Sequence, residues 1–105
     1  MKETQSQANQ VSLDCVATIN EENVVSRELE GEAVMLNLES GLYFGLDEVG
    51  TRIWALIQEH KSLRKVFEAM QREYDVASAR LESDLLRLVE ELRAKGLVSI
   101  SQPNQ

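Results

Sequence analysis

Residues 39–54 read ESGLYFGLDEVGTRIW, and within this stretch a strand pattern gives way to a helix pattern. Leu42, Phe44 and Leu46 alternate with other residues, as they would on one face of a β-strand. Asp47 follows directly and is a favoured helix N-cap residue. Apolar residues then recur at helical spacing, at Val49, Ile53, Trp54 and Ile57. The stretch therefore predicts a strand that runs into a helix, as at a junction in an α+β domain.

The preceding segment, AVMLNL, predicts the partner strand of a β-hairpin. Val34, Leu36 and Leu38 alternate onto one face, and the ESG segment forms a three-residue loop with Gly41 left-handed. This register gives three apolar cross-strand pairs: Leu38 with Leu42, Leu36 with Phe44, and Val34 with Leu46. All six side chains are expected to face the core, because a slip of one residue would turn the whole set to solvent.

The rest of the chain predicts further strands and helices. CVATI and NVVSREL are rich in β-branched residues, and Gly31 marks the turn before AVMLNL. Ser62 is expected to cap a second helix, and a third helix is expected from about Ala79 to Lys95, with Gly96 as its C′ residue. LVSI adds a short extended segment. The order predicts a winged helix-turn-helix-like α+β fold, with a three-stranded antiparallel sheet followed by three helices.

The chain of 105 residues predicts one domain between two polar tails. Residues 1–12 and 101–105 contain little to bury and are expected to be disordered, which leaves residues 13–100 as the domain. No stretch approaches the roughly 20 apolar residues of a membrane span, and no secretory signal pattern begins the chain, so the expected location is cytoplasmic.

Charge and residue content disfavour several classes of function. The formal net charge is −7, which opposes binding to nucleic acid or to anionic membranes. The single cysteine, Cys15, reads as a small buried residue near a first strand, and the single histidine, His60, reads as a helix-end residue. The sequence shows neither a nucleophile with a base nor a phosphate-binding glycine loop. We therefore expect no enzymatic activity, no metal and no cofactor.

The third predicted helix admits two other interpretations. A winged-helix transcription regulator would place it in the DNA major groove, but its basic residues are matched in number by acidic ones (Arg80, Arg87, Arg93 and Lys95 against Glu82, Asp84, Glu90 and Glu91). Asp84 and Glu91 lie on one flank, but they are two turns apart without a nearby histidine. A solvated helix face explains these charges better than a metal or acid–base site.

A surface argument favours peptide binding. On a helical wheel the third helix turns Leu81, Leu85, Leu88 and Leu92 to the core, with Val89 at the edge of the stripe and Leu86 well outside it. Tyr43 and Gly45 alternate away from the core on the last strand, which is expected to be a sheet edge with unpaired backbone groups. An extended peptide could pair with such an edge. Coverage by the protein's own termini and homodimerisation stay open as alternatives.

The order of these motifs resembles the PqqD-like family of peptide-recognition proteins, the stand-alone relatives of the RiPP precursor recognition element. The resemblance lies in the LN of the middle strand, in LYFGLD leading into GTRIW, and in DLLRLVEELRAKGL of the last helix. The segment SGLYFGLDEVGTRIW is most similar to the recognition subunits of lasso-peptide pathways. The resemblance spans roughly residues 23–100.

The resemblance implies a function, partners and a site. Such proteins bind the leader region of a precursor peptide as an added strand and present it to a modifying enzyme, which is a leader peptidase, a cyclase or a radical enzyme. The groove would lie between the third strand and the third helix. Its implied residues are Leu42, Tyr43, Phe44, Gly45 and Leu46 on the strand, Leu85, Leu86 and Val89 on the helix, and Asp84 and Arg87 at the rim.

Overall fold

The computed structural model describes residues 10–102, so most of the tails predicted at residues 1–12 and 101–105 lies outside the described residues. Five strands and three helices follow in the order β1 (Val16–Ile19), β2 (Val24–Leu29), β3 (Glu32–Asn37), β4 (Leu42–Gly45), α1 (Glu48–His60), α2 (Leu63–Glu73), α3 (Ser78–Ala94) and β5 (Val98–Ser101). Strands β2, β3 and β4 form an antiparallel sheet in that order, which confirms the predicted fold class. β1 does not join that sheet but pairs with β5 in a second, two-stranded antiparallel sheet.

The predicted register of the β3–β4 hairpin is wrong by one residue. The observed pairs are Asn37 with Leu42, Leu36 with Tyr43, Met35 with Phe44, and Val34 with Gly45. Ala33, Met35 and Asn37 are consequently buried, with 4%, 0% and 7% of their surface exposed. Val34, Leu36 and Leu38 point to the other face of the sheet, where Val34 and Leu38 are exposed and Leu36 is half-buried.

The turn after β3 explains this register. The Asn37 side-chain oxygen accepts hydrogen bonds from the Glu39 N–H (2.9 Å) and the Ser40 N–H (3.2 Å). The Gly41 N–H donates to the Asn37 carbonyl over 2.7 Å, which closes the turn. An asparagine that bonds to the backbone two and three residues on makes its own local turn, so Asn37 must lie where the strand ends. The segment AVMLNL carries apolar residues on both faces, so alternation alone could not decide its register.

The predicted burial or exposure of residues 42–46 holds at four of the five residues. Leu46 is buried and Phe44 packs half-buried against the core, as expected. Tyr43 and Gly45 face away from the core, and Tyr43 is 72% exposed. Leu42 shares the inward face but is 68% exposed, because it pairs with the last residue of β3 at the end of the sheet, beyond the core.

Local signals fix the ends of the helices. Asp47 caps α1, since its Oδ1 accepts a hydrogen bond from the Gly50 N–H at 2.8 Å, and Ser62 caps α2 in the same manner. Gly96 follows the end of α3 as its C′ residue, and its φ is +75°. Two hydrogen bonds complete a Schellman motif there: the Gly96 N–H donates to the Arg93 carbonyl and the Leu97 N–H to the Leu92 carbonyl.

The core lies between the helices and one face of each sheet. α1 packs against α2, β1 and β3, while α3 makes its main contacts with α2 and β5. Cys15 is buried as predicted, with 1% of its surface exposed. The core also includes Val11, and β5 extends to Ser101, so the packed domain reaches beyond the predicted limits of residues 13 and 100.

A bidentate ion pair joins α1 to the end of α2, and its pH dependence can be predicted. The Arg52 guanidinium donates to both carboxylate oxygens of Glu73, at 2.9 and 2.6 Å, and this hydrogen bonding lowers the pKa of Glu73 below its ordinary value. The pair therefore stabilises the fold above the unfolded pKa of a glutamate, and this contribution is lost as the pH falls through the lower folded pKa.

We expect Arg52→Gln to lower the free energy of unfolding by at most about 1 kcal/mol at neutral pH, because both partners are partly exposed. The difference from wild type should shrink on acidification. Urea unfolding across the acidic range measures it, and a difference that grows as the carboxylate is protonated would contradict the account.

Candidate peptide-binding site

A cleft of about 580 Å³ separates β4 and the start of α1 from α3. Its strand side consists of Phe44, Gly45 and Leu46. The first turns of α1 and the capping residue before them contribute Asp47, Val49, Gly50 and Ile53, and α3 contributes Asp84, Arg87, Leu88 and Glu91. The cleft lies where the sequence predicted a groove, between the last strand of the meander and the third helix.

The outer edge of β4 carries unpaired backbone groups. The Leu46 N–H donates to the Ala33 carbonyl over 2.8 Å, which identifies the bonded pairs of the antiparallel ladder. Such pairs alternate along two strands, so Phe44 bonds to β3 whereas the N–H and C=O groups of Tyr43 and Gly45 point to the free side. Within residues 10–102, the N–H groups of Tyr43 and Gly45 donate no hydrogen bond outside the sheet. This edge can therefore accept another strand.

A buried threonine sets the angle between β4 and α1. The Ala33 N–H donates to the Thr51 hydroxyl at 2.8 Å, and that hydroxyl reaches the Leu46 carbonyl at 3.4 Å. The hydroxyl thus takes the place of the second ladder bond of this pair, from the Ala33 N–H to the Leu46 carbonyl, while the bond from the Leu46 N–H to the Ala33 carbonyl is retained. Gly50 allows the close packing, because a Cβ atom there would lie 3.0 Å from Leu46 Cδ2. These contacts hold the strand end against the first turn of α1 at one end of the cleft.

Asn37 connects the hairpin to the end of α3. Its Nδ2 donates to the Lys95 carbonyl over 2.9 Å, while its Oδ1 accepts the hydrogen bond from the Glu39 N–H in the β3–β4 turn. Gly96 lies so close that a Cβ atom on it would approach Asn37 Nδ2 to 2.8 Å. The Lys95 ammonium lies 5.1 Å from the centre of the Phe44 ring, within cation–π range. The strand and the helix on either side of the cleft are therefore tied together through Asn37.

The predicted helix residues are only partly placed in the cleft. Asp84 and Arg87 line it as expected, but Leu85 and Val89 have none of their surface exposed and belong to the core. Leu86 is half-buried and does not line the cleft. The apolar residue of α3 that does line it is Leu88, which the helical wheel assigned to the core.

A rotation of α3 explains the difference. The buried residues of α3 are Leu81, Leu85, Val89 and Leu92, whose mean direction differs by roughly 25° from that of the predicted stripe, at 100° per residue. The helix rests on α2 and β5 rather than on β4, so its core face turns toward Val89 and leaves Leu88 on the flank. The set of four residues with Leu88 and the set with Val89 are both spaced as one face of a helix. Sequence periodicity alone therefore could not decide which set is buried.

The cleft carries more negative than positive charge. Its acidic residues are Asp47, Asp84 and Glu91, and its basic residue is Arg87. Asp84 lies 3.9 Å from Arg87 and 3.7 Å from Arg80, so each arginine is partly balanced from within the helix. On α3, Arg93 likewise pairs with Glu90 at 2.7 Å. A helix whose arginines face its own carboxylates is poorly suited to bind phosphates.

Between residues 10 and 102, no group of three or more histidine, cysteine or acidic residues is arranged to hold a metal ion. None of the helices in this range is both long and apolar enough to cross a membrane.

Comparisons with known proteins identify the family and the fold of this chain. The profile of the family described as Coenzyme PQQ synthesis protein D (PqqD) matches residues 32–98, more than half of the chain. TbiB1, solved in complex with the TbiA(beta) leader peptide, is 39% identical with a TM-score of 0.73, over 78% of this chain and 94% of that one.

A lasso peptide synthetase B1 complexed with its leader peptide is 22% identical with a TM-score of 0.71, over 79% of this chain and 96% of that one, and supports the fold. No curated protein sequence matches the chain. The profile match and the identity to TbiB1 confirm the resemblance seen in the sequence: the chain belongs to the PqqD family.

Proposed function

We propose that this protein binds the leader segment of a ribosomally made precursor peptide as an added strand on the free edge of β4. The observation that carries the proposal is the pair of edge residues, Tyr43 and Gly45, whose backbone groups are unpaired beside the cleft. Their two N–H and two C=O groups can form the ladder of a new strand. TbiB1, which is 39% identical to this chain, was solved in complex with a leader peptide, and this supports leader binding as the function.

The side chains of the added strand would provide selectivity. In a β-strand alternate side chains point to opposite faces, so every second residue of the leader would enter the cleft. There it would meet the apolar surfaces of Phe44, Leu88 and Ile53. The acidic groups around the cleft favour polar or basic residues in the flanking parts of the leader.

In this role the protein is a non-enzymatic, cytoplasmic peptide chaperone. Backbone pairing and apolar burial supply the affinity, and neither requires a catalytic group or a cofactor. The bound leader would be presented to a modifying enzyme of the same pathway, such as a leader peptidase. Homodimerisation through the same edge is the competing use of these backbone groups.

The proposal is tested by titrating the protein with the synthetic leader of the precursor encoded beside its gene. We expect Leu88→Gln to weaken binding by about five- to thirtyfold, because it removes apolar contact and places an amide in the cleft. Leu86→Gln is the matched control, since Leu86 is also a half-buried leucine of α3 but lies outside the cleft. Isothermal titration calorimetry measures both dissociation constants.

Three results would count against the proposal. The wild-type protein could bind the leader no better than a scrambled peptide of the same composition. The two variants could lose affinity equally, which would place the peptide elsewhere. Sedimentation at two protein concentrations could show a dimer that the leader does not dissociate, which would assign the edge to a second copy.

A further inference from the structure

The outward face of the β2–β3–β4 sheet carries an apolar surface. We call it the outer apolar face and define it by Val25 and Leu29 of β2, Val34 and Leu36 of β3, and Tyr43 of β4. These five residues line a shallow depression of about 250 Å³. Val25 is 51% exposed, Leu29 60% and Tyr43 72%. No helix or strand within residues 10–102 lies over this depression.

This surface is unusual for an antiparallel sheet that covers a core on its other side. Such sheets ordinarily alternate between apolar residues inside and polar residues outside. Here five of the outward positions on three adjacent strands are apolar, and they are neighbours through the pairs Val25–Leu36 and Leu36–Tyr43. A contiguous exposed apolar patch of this kind marks an interaction surface.

Charges at both ends of the sheet indicate what kind of partner fits. The end nearest the β1–β2 and β3–β4 turns has exposed Glu21, Glu22 and Glu39, and the end at the β2–β3 turn has exposed Glu30, Glu32 and Glu48. Arg27 is the cation on the face itself. A second copy of this chain would bring two acidic rims together, which like-charge repulsion opposes. A surface with apolar side chains flanked by lysine and arginine would complement both features.

We propose that the outer apolar face docks the enzyme that modifies the bound peptide, through an apolar patch flanked by basic residues on that enzyme. The inference rests on the proposed function, because it names the surface that meets the enzyme while the leader occupies the cleft. The two sites use different sides of β4: Phe44 and Leu46 face the cleft and Tyr43 faces outward. Both sites can therefore be occupied at once.

The test measures two dissociation constants for each variant of the full chain: for the synthetic leader, and for the purified leader peptidase encoded in the same gene cluster. Val25→Thr with Leu29→Thr removes apolar surface while keeping strand-forming residues. Glu30→Lys with Glu32→Lys reverses charge at one end of the sheet. Val76→Thr is the control, because Val76 is also an exposed valine (42%) but does not line the depression.

We expect both double variants to weaken peptidase binding by at least about tenfold. The charge reversal should also flatten the dependence of that affinity on salt. Leader affinity should stay within about twofold of wild type in every variant, and Val76→Thr should change neither constant.

Several outcomes would overturn the inference without touching the leader-binding proposal. Peptidase affinity unchanged in both double variants, with leader binding intact, would show that the enzyme docks elsewhere. A dimer of the wild type that Val25→Thr with Leu29→Thr dissociates would assign the face to a second copy. A large loss of unfolding free energy in the same variant would assign the face to coverage by this chain itself. Failure of the wild type to bind leader at all would instead contradict the proposed function.

Discussion

Replacing Gly45 with proline is expected to weaken leader binding by at least about tenfold while the domain stays folded. The Gly45 N–H points away from β3, so its loss breaks no hydrogen bond within the sheet. The proline ring would occupy the position from which this N–H would donate to the leader, and a carbonyl of the leader would be left unpaired. Edge strands tolerate proline at such positions, and apart from Gly45 itself and its two chain neighbours no heavy atom lies within 4 Å of a Cβ atom built on Gly45.

The opposite edge of the same sheet provides a matched control. The Leu38 N–H donates to the Asn23 carbonyl, so the alternation along β2 turns the Ser26 N–H to its own free edge. Ser26→Pro therefore removes an equivalent edge donor from β2, and its leader affinity should equal that of the wild type. Calorimetry measures the affinities, and circular dichroism checks that both variants are folded. Equal losses in both variants, or none in Gly45→Pro, would mean that the leader does not pair with β4.

Replacing Asn37 with alanine is expected to lower the free energy of unfolding by about 2–3 kcal/mol. The variant leaves the Lys95 carbonyl without its donor and removes the acceptor for the turn amides of Glu39 and Ser40. Gly96→Ala should have a similar effect, because its Cβ atom would crowd Asn37 Nδ2 and its φ of +75° disfavours a side chain. The fluorescence of Trp54, the single tryptophan and 4% exposed, reports unfolding in urea.

Asn20→Ala is the control for this prediction. The Asn20 Nδ2 also donates to a carbonyl beside the end of α3, that of Gly96 at 2.9 Å, but at an exposed position. Water can replace an exposed hydrogen bond, so we expect a loss below about 1 kcal/mol. A cost for Asn37→Ala no larger than that for Asn20→Ala would refute the view that Asn37 ties the two sides of the cleft together.

The sequence was sufficient to predict the strands and helices and their order. It was insufficient to predict the register of β3 or the rotation of α3 about its axis. Asp47, Ser62 and Gly96 mark helix ends through hydrogen bonds to residues three positions away in the chain. Because these signals are local, they could be recognised in the sequence without knowledge of the fold. The register of β3 depended on how Asn37 closes its turn. Because Val34 and Leu36 belong to the outer apolar face, they mimicked a core stripe.

The groove could be located from the sequence, but its helix side could not be assigned correctly. Which leucines of α3 face the cleft depends on how the helix rests on α2 and β5, and those contacts are absent from the periodicity of one helix. The helical wheel therefore assigned Leu88 to the core and Val89 to its edge, whereas in the structure Val89 is buried and Leu88 lines the cleft. The contributions of Val49 and Ile53 were missed for a related reason: both are spaced as core residues of α1, and the cleft begins where that core stripe meets solvent.

Amide hydrogen exchange of residues 42–46 with and without leader tests strand addition most directly. In the free protein the amides of Tyr43 and Gly45 should exchange rapidly, and those of Phe44 and Leu46 should be protected by their bonds to β3. Saturating leader should protect Tyr43 and Gly45 and leave the Ser26 amide on the opposite edge unchanged. If the leader binds while Tyr43 and Gly45 continue to exchange as fast as before, the peptide is not an added strand on β4.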